Sequence, residues 1–361
     1  MGSAKMSGRC DVMCGQRSMH AARFLAPADS GSQGGGLAYT NRSALRPRHL
    51  KNESSIVSRI VIIGAGTVGT ATGEGFSFHG HDVSYIDVDR SRVQRLRRGG
   101  HRAHLPAELN LDGVNIVVVA VPTPTGQFGL DFSHLDEVTD RVGAALRHCR
   151  CKGYPIVVYR STMLPGSIRG RLVPRLEAAV GGRVGVDFGV CYNPEYLRAQ
   201  AAADDFLKPP VVLVGTEAKD RRTREAMSEL YEPFGTESVF TSWDVAEFQK
   251  YVHNLANAVK ISFFNEMRSA ATQIGLSDSE VDVAFAATAA SAESMWRPGY
   301  GTLNLGPYAG ACLPKDVSAA LVFFESLGIA APLLAAAQEV NATMPEPGAA
   351  EGGAEKDVVS D

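Results

Sequence analysis

A chain of 361 residues holds one large domain or two smaller ones. Its 36 Lys and Arg against 39 Asp and Glu leave a formal net charge of -3, which argues against nucleic acid as a partner. Hydrophobic residues make up 45% of the chain, yet no apolar run is long enough to span a bilayer, so no membrane partner is expected.

The first segment, 1–57, is poor in apolar periodicity. It carries the run Gly31-Ser32-Gln33-Gly34-Gly35-Gly36 and a basic patch from Arg42 to Lys51, and reads as a disordered extension. Cys10 and Cys14 lie there without histidine partners, so no metal site is expected. The other cysteines, Cys149, Cys151, Cys191 and Cys312, form no recognisable framework. With no leader carrying an apolar core, a cytoplasmic protein is expected.

Between 58 and 242 short apolar runs alternate with helix-like segments. The runs are Ile60 to Ile63, Val83 to Ile86, Asn115 to Val121, Ile156 to Tyr159, Val186 to Tyr192 and Val211 to Val214. The helix-like segments include Ser91 to Arg98, Leu135 to His148 and Ser167 to Val180. The alternation predicts an α/β fold: a Rossmann-type, doubly wound parallel sheet. His148-Cys149-Arg150-Cys151 reads as a helix end rather than a metal site. From Asp244 the pattern turns helical. Asp244 caps a predicted helix to about Ile274, another spans Ser279 to Ala289, and a last one spans Asp316 to Leu327, followed by Pro332 to Asn341. This all-helical central region is assigned to 243–343. The tail, 344–361, is rich in Pro, Gly, Ala and Glu and reads as disordered.

Gly64-Ala65-Gly66-Thr67-Val68-Gly69 follows the first strand and opens a helix. Glycines there permit a tight turn and bring a pyrophosphate close to a helix N-terminus. Asp87 ends the next strand, where a carboxylate accepts from ribose hydroxyls and repels a 2′-phosphate, so NAD is the expected cofactor. Arg90 is a mild counter-signal. Pro122-Thr123-Pro124, Ser161-Thr162 and Asn193-Pro194-Glu195 sit at three predicted strand ends, where ligands collect in open α/β sheets. Each alone is ordinary turn chemistry; together they outline a pocket.

Two further groups carry chemistry. Lys250 and Asn254 stand one helical turn apart on one face, as a solvated pair or as donors to an oxyanion. Cys312, in Gly310-Ala311-Cys312-Leu313-Pro314-Lys315-Asp316, is a buried structural cysteine or a nucleophile near a cation. A thiol beside a nicotinamide can trap an aldehyde and carry it to the acid.

These motifs resemble the UDP-glucose/GDP-mannose dehydrogenase family from about Ile60 to Asn341. The resemblance rests on the glycine fingerprint, Pro122-Thr123-Pro124, Ser161-Thr162 with Pro165-Gly166, and Asn193-Pro194-Glu195-Tyr196-Leu197. It continues through Ala246 to Tyr251, Asn254, Lys260 to Glu266 and the run around Cys312. It implies a four-electron oxidation of a nucleotide sugar with two NAD, UDP-glucose ahead of GDP-mannose, in a homodimer formed through the long helix. Cys312 would be the nucleophile, Lys250 and Asn254 the oxyanion donors, and Asp316 and Thr162 the holders of a water. Glu195 would position the hydrolytic water.

By the same resemblance Gly64, Gly66, Thr67, Val68, Gly69, Asp87, Pro122, Thr123, Ser161, Thr162 and Lys315 would bind the cofactor. Glu195, Tyr196, Leu197, Lys250, Asn254 and Gly310 would bind substrate. The chain departs from the family pattern at Ala199, in place of a second glutamate, and at Ala309, in place of a glycine. It also stops where the family's C-terminal nucleotide-sugar domain would begin. Those departures keep two alternatives open: the same chemistry on a different or smaller alcohol, and an NAD-binding partner subunit without activity of its own.

Overall fold

The computed structural model describes residues 57–344 except 127, 128, 151, 152, 298, 303–306 and 311. The expected N-terminal extension (but for Val57) and, beyond Met344, the tail lie outside the described residues. All described residues belong to one compact unit, Asn52–Asp361.

The sheet begins with β1 (Arg59–Ile63), whose valine and isoleucines are buried on both faces, as a central parallel strand requires. Helix α1 (Thr67–Phe78) leads to β2 (Asp82–Ile86), and α2 (Arg90–Arg98) to β3 (Arg102–His104). The chain returns to the middle as β4 (Ile116–Val119). A two-stranded hairpin of β5 (Thr125–Gly126) and β6 (Gly129–Leu130) precedes α3 (Ser133–His148). Then come β7 (Ile156–Tyr159), a π-helical turn (Ile168–Leu172) continuing into α4 (Val173–Val180), and β8 (Gly189–Tyr192). The domain ends with α5 (Ala202–Leu207), β9 (Val212–Gly215), α6 (Arg221–Tyr231) and β10 (Ser238–Thr241).

The strand order is β10-β9-β8-β7-β4-β1-β2-β3. Windings from β1 and from β4 run in opposite directions, so the crevice opens where β1 meets β4, at their C-terminal ends. Alternate residues feed two cores. Val61, Val117, Val157 and Val190 pack with α3 and α4. Ile60, Ile62, Ile116 and Val158 pack with Phe76, Phe206 and Met227 from α1, α5 and α6.

Three expectations need correction. The sheet is not wholly parallel: β8 and β9 pair antiparallel through Tyr192 and Gly215. The strands β3 and β10 are too short to stand out; they are edges paired to β2 and β9, with Ala103 and Phe240 packed on the core. Cys149 caps the end of α3, as a helix end should, but it is disulfide-bonded, against the reading of the cysteines as lacking a framework.

The helical region follows as α7 (Trp243–Gln273), α8 (Asp278–Ser291), α9 (Glu293–Trp296), α10 (Leu313–Ser326) and α11 (Pro332–Thr343). The cap of α7 is Ser242, whose Oγ accepts from the Val245 amide, and not Asp244. Asp244 instead pairs with Arg169 at 3.0 Å. Helix α8 opens with a capping box between Ser277 and Glu280. Among the described residues no helix is long and apolar enough to cross a membrane.

Candidate active site

A cavity of about 520 Å³ lies at the crevice between β1 and β4. Gly64, Gly66, Thr67, Val68, Asp87, Pro122, Thr123, Ser161, Thr162 and Glu195 all line it. The first turn is tight: the Gly64 amide donates to Ile86 O at 2.9 Å and the Ala120 amide to Ile63 O at 2.8 Å. Gly64 has φ +91°, and a Cβ there would stand 2.7 Å from the Ala120 carbonyl oxygen. Gly66 differs: a Cβ on it would meet nothing within 4 Å. The backbone at Gly66 is therefore bare on the side a ligand approaches, next to the open N-terminus of α1.

Asp87 is buried and fully engaged. Oδ2 accepts from the Ala65 amide at 2.7 Å and Oδ1 from the Asp89 amide at 2.8 Å. The Arg92 guanidinium bridges both oxygens at 2.9 and 3.1 Å and also lines the cavity. The group the sequence reading missed here is Arg92. Its signal was its place in the first turns of α2, facing back toward Asp87; Arg90, the residue singled out, is exposed.

The strand-end loops are tied together at the rim. Thr123 Oγ1 donates to the Thr162 carbonyl at 2.7 Å, and Ser161 Oγ to the Val121 carbonyl at 2.6 Å. Glu195 Oε2 accepts from the Leu197 amide at 2.8 Å, and Oε1 from Lys250 Nζ at 3.0 Å. The Lys250 ammonium also donates to the Glu195 carbonyl and lies 5.3 Å from the centre of the Tyr196 ring. Burial pushes the Tyr196 phenol up to about 12, and its hydroxyl donates to Gln249 Oε1 at 2.5 Å. Lys250 is almost wholly buried, so its charge depends on Glu195 for compensation.

The remaining expected site residues stand elsewhere. Asn254 is exposed one turn beyond Lys250. Cys312 is exposed at the N-terminus of α10, where its carbonyl accepts the Asp316 amide at 2.8 Å. Lys315 and Asp316 pair with each other, both exposed. Gly310 has φ +89°, a conformation suited to glycine. None of these five is among the described residues lining the 520 Å³ cavity. A second cavity of about 1110 Å³ lies in the helical region beside Leu313, between Trp296, Tyr300, Tyr308, Ala309 and Val340. The structure thus brings the dinucleotide crevice, Glu195 and Lys250 together, and leaves Cys312 with the helices.

The model of the UDP-glucose/GDP-mannose dehydrogenase family's NAD binding domain matches residues 58–106 and 101–235. The model of that family's central domain matches residues 244–343. The chain belongs to the UDP-glucose/GDP-mannose dehydrogenase family. It is 32% identical over 299 residues to GDP-mannose 6-dehydrogenase of Pseudomonas savastanoi pv. phaseolicola, covering 76% of this chain and 66% of that protein. It is 30% identical over 309 residues to UDP-glucose 6-dehydrogenase of Haloferax volcanii, covering 79% and 70%. The chain therefore spans about two thirds of the length of these curated relatives.

A ternary complex of GDP-mannose dehydrogenase from Pseudomonas aeruginosa superposes with TM-score 0.70 at 29% identity, over 79% of this chain and 68% of that one. A UDP-glucose dehydrogenase from Pyrobaculum islandicum gives 0.61 at 29%, over 82% and 70%. The crevice of this family member fits NAD on its own geometry: a bare glycine turn at an open helix start, and a buried acid-arginine pair at the end of β2.

Proposed function

We propose that the chain oxidises the C6 alcohol of a nucleotide sugar to the carboxylate. UDP-glucose stays ahead of GDP-mannose, as the resemblance implied, and relatives named for each sugar match at 30% and 32% identity. The observation that carries the reading is Glu195. It lines the dinucleotide cavity and is held by Lys250 of the helical region, so one carboxylate joins the two halves of the site.

Gly64, Gly66, Thr67, Val68 and the Asp87–Arg92 pair, with Pro122, Thr123 and Ser161, would hold NAD, with Gly69 packed beneath the turn, and NAD would supply the hydride acceptor for two successive oxidations. Lys250, its ammonium held at the rim, stabilises the alkoxide as the alcohol proton passes to a water, and later stabilises negative oxygen on the thiohemiacetal. The Cys312 thiolate adds to the aldehyde carbon to give a thiohemiacetal, and loss of the second hydride leaves a thioester. Water then attacks the thioester carbon, releasing the acid and restoring the thiol. Glu195 orients that water, with Thr162 and Asp316 holding the proton path. Asn254 adds a second donor to the oxyanion, and Tyr196, Leu197 and Gly310 border the substrate. Lys315 lies on the cofactor side.

Cys312, Asn254 and Asp316 sit apart from the cavity in a single chain, so the same reading has two copies pair through the helical region. Phe248, Val252, Leu255 and Val259 leave an apolar face of α7 exposed for that contact. The test is stoichiometric. Purified protein with NAD and limiting GDP-mannose, then UDP-glucose, should form two NADH per sugar. One NADH per sugar would reject the thioester steps, and none with either sugar would favour a different alcohol.

A further inference from the structure

Glu247, in the second turn of α7, has no exposed surface. A carboxylate in that position must be neutralised or hydrogen-bonded. Its two oxygens are met by backbone donors from a distant loop: the Gly166 amide reaches Oε2 at 2.6 Å and the Ile168 amide reaches Oε1 at 2.8 Å. The Ile168 amide is the first of the helical segment that runs from Ile168 into α4, and the Gly166 amide lies in the turn just before its cap, Ser167. The first amides of a helix have no partner within it, and their partial positive charge favours an anion. Glu247 is thus a helix cap supplied from another helix. Gly166 has φ +87°, the left-handed turn that sends the loop past Glu247.

The loop so capped is the one that carries Ser161 and Thr162. Both line the dinucleotide cavity, where the Ser161 hydroxyl donates to the Val121 carbonyl and the Thr162 carbonyl accepts from the Thr123 hydroxyl. One turn further along α7, Lys250 holds Glu195 on the neighbouring loop. A single rigid helix face therefore fixes two strand-end loops relative to each other.

We propose that Glu247 is a positioning residue, whose carboxylate, by holding the Gly166 and Ile168 amides, sets Ser161 and Thr162 at the cavity edge in register with Glu195 and Lys250. The inference rests on the dehydrogenase reading only for its catalytic consequence; its effect on NAD binding stands apart. The charged and titratable groups facing Glu247 are Asp244 on its own helix, Arg169 on the capped segment and Tyr192 from β8.

The test uses the full chain and Glu247→Gln. The amide keeps one acceptor but turns an NH2 toward the second backbone donor. Calorimetry with NAD alone should show a dissociation constant raised about tenfold, as expected for losing a hydrogen bond to a charged group. A pH series of NAD affinity should show a decline on the acid side in wild type that is absent in the variant. Amide exchange in wild type, which needs no variant to fold, should show Gly166 and Ile168 as protected as the β7 amides.

Rapid exchange at those two amides would overturn the proposal, as would an unchanged dissociation constant and pH series in a folded Glu247→Gln. If wild type forms no NADH from any sugar while Glu247→Gln still weakens NAD binding, the dehydrogenase reading fails and the positioning role stands. If wild type turns over and Glu247→Gln matches it throughout, the positioning role fails alone.

Discussion

Lys250 and Glu195 form an ion pair across the rim of the crevice, Nζ to Oε1 at 3.0 Å, with the lysine side chain almost fully enclosed and the glutamate largely so. The pair belongs to two different parts of the chain, so its loss should be felt in both. Lys250→Met should lower stability by about 2 kcal/mol, because Glu195 keeps only the Leu197 amide as donor. Urea denaturation checks this, and NADH formation should fall together with it. A variant as stable as wild type would show that the pair contributes nothing to the fold.

The two glycines of the first turn should behave differently. Gly64→Ala places a methyl against the Ala120 carbonyl in a left-handed backbone, and should cost about 1–3 kcal/mol. Gly66→Ala meets no protein atom within 4 Å, so stability should change by less than about 0.5 kcal/mol while NAD affinity drops. Calorimetric NAD titration beside thermal unfolding separates the two. Full NAD affinity in Gly66→Ala would move the cofactor away from this turn.

Cys312→Ser should abolish acid formation and leave NAD affinity unchanged, since Cys312 is absent from the lining of the dinucleotide cavity. Product analysis by mass spectrometry gives the first answer and titration the second. Normal acid output would remove Cys312 from the mechanism.

Stability should depend on pH through Glu247. Burial, assisted by Asp244 and opposed by the Ile168 and Gly166 amides and by Arg169, raises its pKa from 4.5 to about 7. The folded state then holds a proton that the unfolded state has released, so this contribution is full below pH 4.5 and lost as pH rises toward 7. Comparing urea midpoints of wild type and Glu247→Gln across that window isolates it. The difference between the two proteins should change through the window and be flat above it; a constant difference would assign the slope to other groups.

The exposed face of α7 makes a prediction about assembly. Leu255→Glu with Val259→Glu should convert a dimer to monomers in sedimentation equilibrium, at a protein concentration where wild type associates. Both residues are more than half exposed in the single chain, so the substitutions should cost the monomer little. Wild type that sediments as a monomer throughout would remove the dimer.

Much of the sheet was legible because buried parallel strands are short apolar runs ending in glycine or polar turns, as at Ile60 to Gly64 and Ile156 to Ser161. The strands β3 and β10 were not, because each is an edge strand of only three or four residues, too short for its one core side chain, Ala103 or Phe240, to mark a pattern. The antiparallel pairing of β9 was illegible for a similar reason: Val211 to Val214 reads the same in either direction. In the site, the glycine turn and Asp87 announced themselves by spacing. Arg92 and Glu247 did not, since each acts through a fold contact, one to a strand end and one to a loop far earlier in the chain.

The length of α7 has a mechanical consequence. Its 31 residues rise about 1.5 Å each, and the sheet domain grips its start through Trp243, Glu247, Lys250 and His253. Beyond that grip the helix is a lever of about 30 Å, on which a tilt of about 10° at the fulcrum would carry the far end by about 5 Å. The stiffness of that free length sets how steadily the far end of the helix is held against the sheet domain.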